Sequence, residues 1–215
     1  MAFTKTELAD IYRKRAPRYD LSANLYQLMG FREHAYRTRA VDALDLKPGD
    51  TVVELGCGTG LNLPLLERAI GPNGRIIGVD LTKPMLDQAR ERIARQGWQN
   101  VELVQSDAAG YTLPDGLDGV ISSFAITLVP EYDQVIGAAA KALKPGGKIA
   151  ILDLKLPEWN PRWLSRVAVA VTRPFGVTLD LAGRHPWESV ARYFNDVRRE
   201  DYYFGFGYLA VGTAR

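Results

Sequence analysis

Two acidic side chains and three glycines are the residues of this chain best suited to hold a ligand. Glu54 ends a short apolar run and precedes a turn with glycines at alternating positions, Gly56, Gly58 and Gly60. Asp80, about 20 residues after the last glycine, ends a second short apolar run. Glycines let a bulky ligand approach the backbone, and an acid placed like Asp80 can accept hydrogen bonds from both hydroxyls of a ribose. The spacing predicts a strand, turn, helix and second strand that bind a nucleotide.

The details of the turn favour one class of nucleotide over another. A dinucleotide-binding turn has the pattern G-x-G-x-x-G, but here the third glycine comes one residue early and Leu61 stands in its place. Glu54 would repel a pyrophosphate, whereas it suits a ligand that carries an ammonium group. A nicotinamide-dependent oxidoreductase is therefore disfavoured. The acid followed by G-x-G-x-G resembles motif I of the class I S-adenosylmethionine (SAM) methyltransferases.

Two further segments carry the same resemblance. Residues 80–86, which read DLTKPML, resemble the D-x-S-x-x-M-L segment of the ubiquinone/menaquinone methyltransferase group, and 106–108 resemble the motif whose acid binds the adenine amine. The Arg-Tyr-Asp segment around Tyr19 resembles a Y-D pair whose tyrosine closes over SAM. The resemblance implies SAM as cofactor, S-adenosylhomocysteine as product and no metal. It implies these cofactor-binding residues: Tyr19, Glu54, Gly56, Gly58, Gly60, Asp80, Leu81, Met85, Asp107, Ala108 and Ser123.

Few residues are candidates for catalysis, because the sulfonium already makes the methyl group electrophilic and the protein must mainly align the reactants and exclude water. The candidates are Tyr19, His34 and Asp153. His34 is one of two histidines, and a lone histidine is often a surface or structural residue. Asp153 is expected at the carboxyl end of a strand, where it either faces the ligand or caps a turn. Ser123, Phe124 and Thr127 are expected to line the methyl-transfer site.

The elements that must position these residues alternate along the chain. Strands are predicted at 51–55, 75–79, 101–105, 117–123 and 149–154, with helices at 4–16, 22–44, 61–70, 84–96 and 131–143. The closing stretch 201–212 is aromatic and β-prone, and it predicts a last strand or hairpin at the sheet edge. Together with the resemblance, this predicts a Rossmann-like, doubly wound α/β fold with a mostly parallel seven-stranded sheet, an antiparallel C-terminal strand and N-terminal lid helices.

The chain divides into two predicted parts. Residues 1–46 are expected to form a helical lid that faces a membrane, or else a plain helical extension packed on the domain, and 47–215 to form the SAM-binding domain. With 215 residues, 47% hydrophobic, there is room for one sizeable core. The net charge of +2 argues against a nucleic-acid partner. The single cysteine, Cys57, precludes an internal disulfide, which suits a cytoplasmic location.

The methyl acceptor is inferred from weaker signals. Residues 159–175 combine tryptophans, arginines and a short apolar run, which is typical of an interfacial membrane segment or of a packed helix with long arginine side chains. Residues 62–66, 184–188 and the C-terminus resemble bacterial phospholipid N-methyltransferases. The favoured acceptor is an amine-bearing phospholipid head group of the phosphatidylethanolamine type, with peripheral attachment to the inner face of the membrane. The alternatives are a quinone ring carbon, a soluble small molecule, or SAM binding without catalysis.

Overall fold

A seven-stranded sheet with helices on both faces forms the core of the computed structural model, which describes residues 30–157 and 183–215. The elements, in chain order, are α1 (Glu33–Asp42), β1 (Thr51–Leu55), α2 (Leu63–Ile70), β2 (Arg75–Asp80), α3 (Lys83–Gln96), β3 (Val101–Gln105), β4 (Leu117–Ser123), a 3₁₀ turn (Ile126–Leu128), α4 (Tyr132–Ala142), β5 (Leu143–Leu154), α5 (Pro186–Tyr193), β6 (Asn195–Tyr202), a second 3₁₀ turn (Tyr203–Gly205) and β7 (Gly207–Thr213).

The order of the strands is that of a doubly wound sheet. It reads β3-β2-β1-β4-β5-β7-β6, with the first five strands parallel. β7 pairs antiparallel with both β5 and β6. From β1 the chain adds β2 and β3 on one side of the sheet, and it then returns to add β4 and β5 on the other side. In such sheets ligands bind outside the carboxyl ends of the strands at the point where the strand order switches, here between β1 and β4. The predicted fold class is therefore confirmed.

Alternating side chains of the central strands build two cores. Val53 and Ile77 face a cluster completed by α4 and α5, whereas Val52 and Ile76 face a cluster completed by α1, α2 and α3. All four side chains are at most 2% exposed. Since both faces of a parallel sheet are covered, its strands are continuous apolar runs, as the sequence of β1 and β2 indicates.

Two regions differ from the sequence-based expectation. β5 begins at Leu143 rather than 149, because Leu143 pairs with Leu117 and the next matched pair is Lys148 with Gly119. Residues 144–147, which lie between the predicted helix 131–143 and the predicted strand 149–154, thus form a bulge inside β5. Helix α5 was not predicted, although Pro186 in its first turn is a common start signal. The closing hairpin, expected within 201–212, begins earlier, at Asn195.

The part of the N-terminal region that the structure describes lies on the sheet. α1 falls within the helix predicted for 22–44, and its Ala40 and Val41 are buried in the second core. The helix predicted for 4–16, Tyr19 and the tract 159–175 lie outside the described residues, so the lid remains a prediction. Among the helices that the structure describes, none is long and apolar enough to cross a membrane.

Candidate functional site

The three glycines after β1 adopt left-handed backbone conformations for different reasons. Their φ angles are +73° at Gly56, +55° at Gly58 and +78° at Gly60. A Cβ atom on Gly56 would lie 2.3 Å from the Cβ of Ala125, and one on Gly60 would lie 2.6 Å from Cδ1 of Leu63. A Cβ atom on Gly58 would meet nothing within 4 Å. Two glycines therefore serve packing, and Gly58 alone leaves space for a ligand.

Asp80 stands at the carboxyl end of β2 and is held by the glycine turn. Its Oδ2 accepts a hydrogen bond from the backbone N–H of Gly58 at 2.8 Å, and its Oδ1 accepts from the backbone N–H and the hydroxyl of Thr82, each at 2.8 Å. Burial raises the pKa of this carboxyl, and the bonds from Thr82 and Gly58 offset part of the rise. A carboxylate has about four acceptor sites, so one remains on Oδ2 for a ligand hydroxyl.

A cleft that is open to solvent crosses the carboxyl ends of β1 to β4. Of the residues that the sequence predicts for the cofactor, those that line it are Gly56, Gly58, Asp80, Leu81, Met85, Asp107, Ala108 and Ser123. Gly60 and Glu54 do not line it, and Tyr19 lies outside the described residues. Asp107 marks the end nearest β3, and its Oδ1 accepts a hydrogen bond from the N–H of Ala109 at 3.1 Å.

Glu54 lies behind the cleft, in a buried polar network. It is 1% exposed, and its Oε1 accepts a hydrogen bond from Nδ2 of Asn62 at 2.7 Å. Burial raises the pKa of Glu54 to about 8, and the positive charge of Arg37 and the bond from Asn62 lower it only in part. Its Oε2 has no hydrogen-bond partner among the described residues. The sequence suggested that this acid would suit a ligand ammonium group. In the structure, however, its side chain is buried behind the cleft and does not line it.

Asp153 and Thr127 contact each other rather than the cleft. Asp153 is 5% exposed, its Oδ2 accepts from the N–H of Thr127 at 2.9 Å, and its Oδ1 accepts from the N–H of Leu154 at 2.8 Å. Burial raises its pKa to about 6, against the lowering effect of these bonds. Neither residue lines the cleft, so of the two expectations for Asp153 the geometry favours the turn cap.

His34 is exposed on α1 and does not line the cleft. The structure therefore does not bring together the catalytic candidates His34 and Asp153. Cys57 does line the cleft, but burial raises the pKa of its thiol well above the ordinary value, so it is a poor nucleophile. Within the described ranges, no group of three or more His, Cys, Asp or Glu side chains is arranged to hold a metal ion.

Sequence reasoning missed several lining residues. Arg37 and Thr82 line the cleft, as do Leu128, Val129 and Pro130 after β4. The hydroxyl of Thr82 bonds Asp80 two residues earlier, a local pattern that the sequence could have indicated. Arg37 comes from a helix that precedes the sheet, and no spacing rule links it to the turn. Phe124 was expected at the site and lies there, with a left-handed φ of +57°, which is rare for a bulky residue.

Known proteins share both the sequence pattern and the fold. A methyltransferase-domain family model matches residues 52–147. The chain is 35% identical over 157 residues to the demethylmenaquinone methyltransferase of Lactobacillus johnsonii, covering 72% of this chain and 63% of that protein. It is 31% identical over 166 residues to the demethylmenaquinone methyltransferase of Listeria welshimeri, and this match covers 76% of this chain and 69% of that protein.

Two solved structures show the same fold at lower identity. A SAM-dependent methyltransferase from Aquifex aeolicus superimposes with a TM-score of 0.60 at 21% identity, over 83% of this chain and 89% of that one. A phosphoethanolamine N-methyltransferase from Haemonchus contortus, in complex with SAM, gives a TM-score of 0.59 at 24% identity, over 73% of this chain but 35% of that one. Taken with the glycine turn, Asp80 and the strand order, the family model and the curated relatives show that the chain belongs to the class I SAM-dependent methyltransferases.

Proposed function

We propose that this chain is a SAM-dependent methyltransferase whose cofactor occupies the cleft over β1 to β4. The observation that carries the proposal is the pairing of Gly58 with Asp80. The Cβ side of Gly58 is open, its N–H fixes the carboxylate, and that carboxylate keeps one acceptor site for a ribose hydroxyl. Met85 and Asp107 line the next part of the cleft, where an apolar surface and an acceptor suit an adenine ring. When bound, SAM supplies an electrophilic methyl group.

For the methyl acceptor, we propose a ring carbon of a demethylated quinone in its reduced, electron-rich form. The support is the name shared by the two curated relatives above, both demethylmenaquinone methyltransferases. The phospholipid amine that the sequence favoured first has weaker support. The phosphoethanolamine enzyme resembles this chain over only 35% of its own length and at fold level. The segment expected to contact a membrane lies outside the described residues.

An aromatic cluster beside the cleft supports a flat acceptor. Phe124 lines the cleft, and its ring centroid lies 5.9 Å from that of Phe31. Phe31 in turn contacts Tyr203 at 5.3 Å and Tyr36 at 5.2 Å, both edge-on. Offset and edge-on contacts of this kind stabilise bound aromatic rings. Of this cluster, Phe124 lines the cleft and offers an aromatic surface to a quinol ring on the side away from Asp107.

In this proposal, the described residues act by binding and alignment. Ring methylation forms a carbon–carbon bond to the transferred methyl group, leaves S-adenosylhomocysteine and releases the proton of the ring carbon. The two carboxylates that line the described cleft, Asp80 and Asp107, are assigned to the nucleoside. The apolar residues that line the cleft after β4 help to exclude water from the reacting groups; they are Ile126, Leu128, Val129 and Pro130.

The experiment is transfer of label from methyl-labelled SAM to three acceptors presented separately. These are a chemically reduced demethylated naphthoquinone with a prenyl tail in micelles, phosphatidylethanolamine vesicles, and soluble phosphoethanolamine. We expect label in the quinone fraction alone. Label in phospholipid would overturn the quinone proposal in favour of the head-group amine. Binding of SAM without label in any acceptor would favour a SAM-binding protein without catalysis.

A further inference from the structure

One positive charge reaches the cleft at the end opposite Asp107. Arg37 lies in α1, is 6% exposed and lines the cleft. Among the described lining residues it is the one cationic side chain. Its guanidinium lies 5.1 Å from the ring centroid of Phe124, a cation–π distance. A buried guanidinium fixed above the carboxyl ends of β1 and β4 is costly unless its donors are used.

The described contacts of Arg37 do not use all of the N–H donors of its guanidinium. Nε bonds Oε1 of Glu33 at 2.8 Å, and Nη2 lies 2.8 Å from the same oxygen. Nη1 donates to Oδ1 of Asn62 at 3.1 Å. A guanidinium has five N–H donors, so these three contacts leave two without a described partner. Such a planar pair of donors matches a carboxylate.

The network behind Arg37 holds it rigidly. Asn62 is fully buried, and its Nδ2 donates to Oε1 of Glu54 at 2.7 Å and to Oγ of Ser123 at 2.9 Å. The amide oxygen of Asn62 thereby accepts a hydrogen bond from Arg37, while its amide nitrogen donates to Glu54 of β1 and to Ser123 of β4. The position of the guanidinium is fixed from α1, α2 and two strands at once. This is a preorganised site rather than a surface arginine that happens to face a cleft.

The order of the lining residues indicates which end of a ligand would meet Arg37. Asp107 follows β3, Asp80 ends β2, and Gly58 and Ser123 follow in turn towards β4. A nucleoside held by Asp107 and Asp80 therefore leaves the rest of the ligand to run over β1 and β4, towards Arg37. In SAM that remaining part ends in an α-amino acid, with one carboxylate.

We propose that Arg37 binds the α-carboxylate at the amino-acid end of SAM and so makes α1 part of the cofactor site. This inference rests on the proposed function. A ligand bound in the cleft would then contact α1, a helix that precedes the sheet, through Arg37. Loss of the guanidinium should weaken binding of ligands that carry this carboxylate and leave ligands without it unaffected.

The test is calorimetric titration with two probes that differ in that carboxylate. They are S-adenosylhomocysteine and its decarboxylated analogue, S-adenosyl-3-thiopropylamine. Wild type should bind the first about 10- to 100-fold more tightly, since hydrogen bonds to charged groups contribute that much. In Arg37→Gln the two probes should bind almost equally. Arg39→Gln is the matched control, because Arg39 lies on the same helix, pairs with Glu200 and does not line the cleft.

The outcomes separate this inference from the proposed function. Equal weakening of both probes in Arg37→Gln, or no weakening of either, would overturn the role of Arg37 while leaving SAM binding intact. Failure of wild type to bind either probe would overturn both proposals. Should Arg37→Gln not fold, Arg37→Lys is the test variant, because lysine keeps the positive charge but lacks the planar pair of donors. A preference for S-adenosylhomocysteine that is reduced but still present in this variant supports the inference. An unchanged preference contradicts it.

Discussion

Gly56 and Gly58 lie two residues apart in the same turn, yet substitution of each by alanine should affect a different property: folding stability for Gly56 and ligand affinity for Gly58. Gly56→Ala forces a Cβ to within 2.3 Å of Ala125 at a left-handed φ, so we expect a loss of at least about 2–3 kcal/mol of folding free energy. Gly58→Ala meets no protein atom and should cost only about 1 kcal/mol of backbone strain. Gly58 lines the cleft, however, so we expect the added methyl group to lower the affinity for S-adenosylhomocysteine.

Thermal unfolding and ligand titration on both variants check this prediction. Gly146→Ala serves as the control for strain alone, because Gly146 also has a left-handed φ, has open space around it and does not line the cleft. A Gly58→Ala protein that binds S-adenosylhomocysteine as wild type does would show that this glycine does not face the cofactor.

At the scale of single residues, spacing predicts those contacts that are local in sequence. Asp80 and Asp107 each end or follow a strand, and both line the cleft as expected. Arg37 and Asn62 could not be predicted, since they are 25 positions apart and meet only because α1 packs across the start of α2. Asp153 was placed correctly at the end of β5, but sequence alone does not reveal that two backbone N–H groups occupy its oxygens.

The buried network around Glu54 joins four elements and makes their packing depend on pH. The pKa of Glu54 is about 8 in the folded protein against 4.5 as an ordinary value. The folded state thus keeps a proton that the unfolded chain loses, so stability is full below about pH 4.5 and falls as the pH rises towards 8. Glu54→Gln removes this loss. It should exceed wild type in stability by a few kcal/mol at pH 8.

Denaturant unfolding between pH 4.5 and 8 measures this difference. The gap between Glu54→Gln and wild type should close at the acid end of the range. Glu102→Gln, at a half-exposed position of β3, should show no comparable gap. A gap for Glu54→Gln that stays constant with pH would mean that the carboxyl is ionised in the fold, and would contradict the assigned protonation.

At the scale of elements, the sequence predicts most of the sheet because its central strands are buried on both faces and read as apolar runs. The bulge in β5 and the helix α5 escaped prediction for physical reasons. The bulge depends on a pairing of Leu143 with Leu117 across the sheet. α5 is only eight residues long, and its packing on α4 and β7 stabilises it more than its own sequence does.

For the whole molecule, the strand order is compatible with one cleft for both of the proposed reactants. The glycine turn, Asp80 and Asp107 lie at the carboxyl ends of β1, β2 and β3, and Phe124 follows β4 beside the aromatic cluster. A nucleoside and a flat acceptor can therefore approach each other over β1 and β4. The family was evident from the sequence, whereas the acceptor was not, because motifs for the cofactor are shared by enzymes with different acceptors.

The most direct test of the central claim is calorimetric titration of the wild-type chain with S-adenosylhomocysteine and, separately, with NAD⁺. We predict one S-adenosylhomocysteine per chain, no binding of NAD⁺, and at least about tenfold weaker binding in Asp80→Asn, which loses a charge-assisted bond to the ribose. Binding of NAD⁺ in place of S-adenosylhomocysteine, or unchanged affinity in Asp80→Asn, would contradict the assignment of this cleft to SAM.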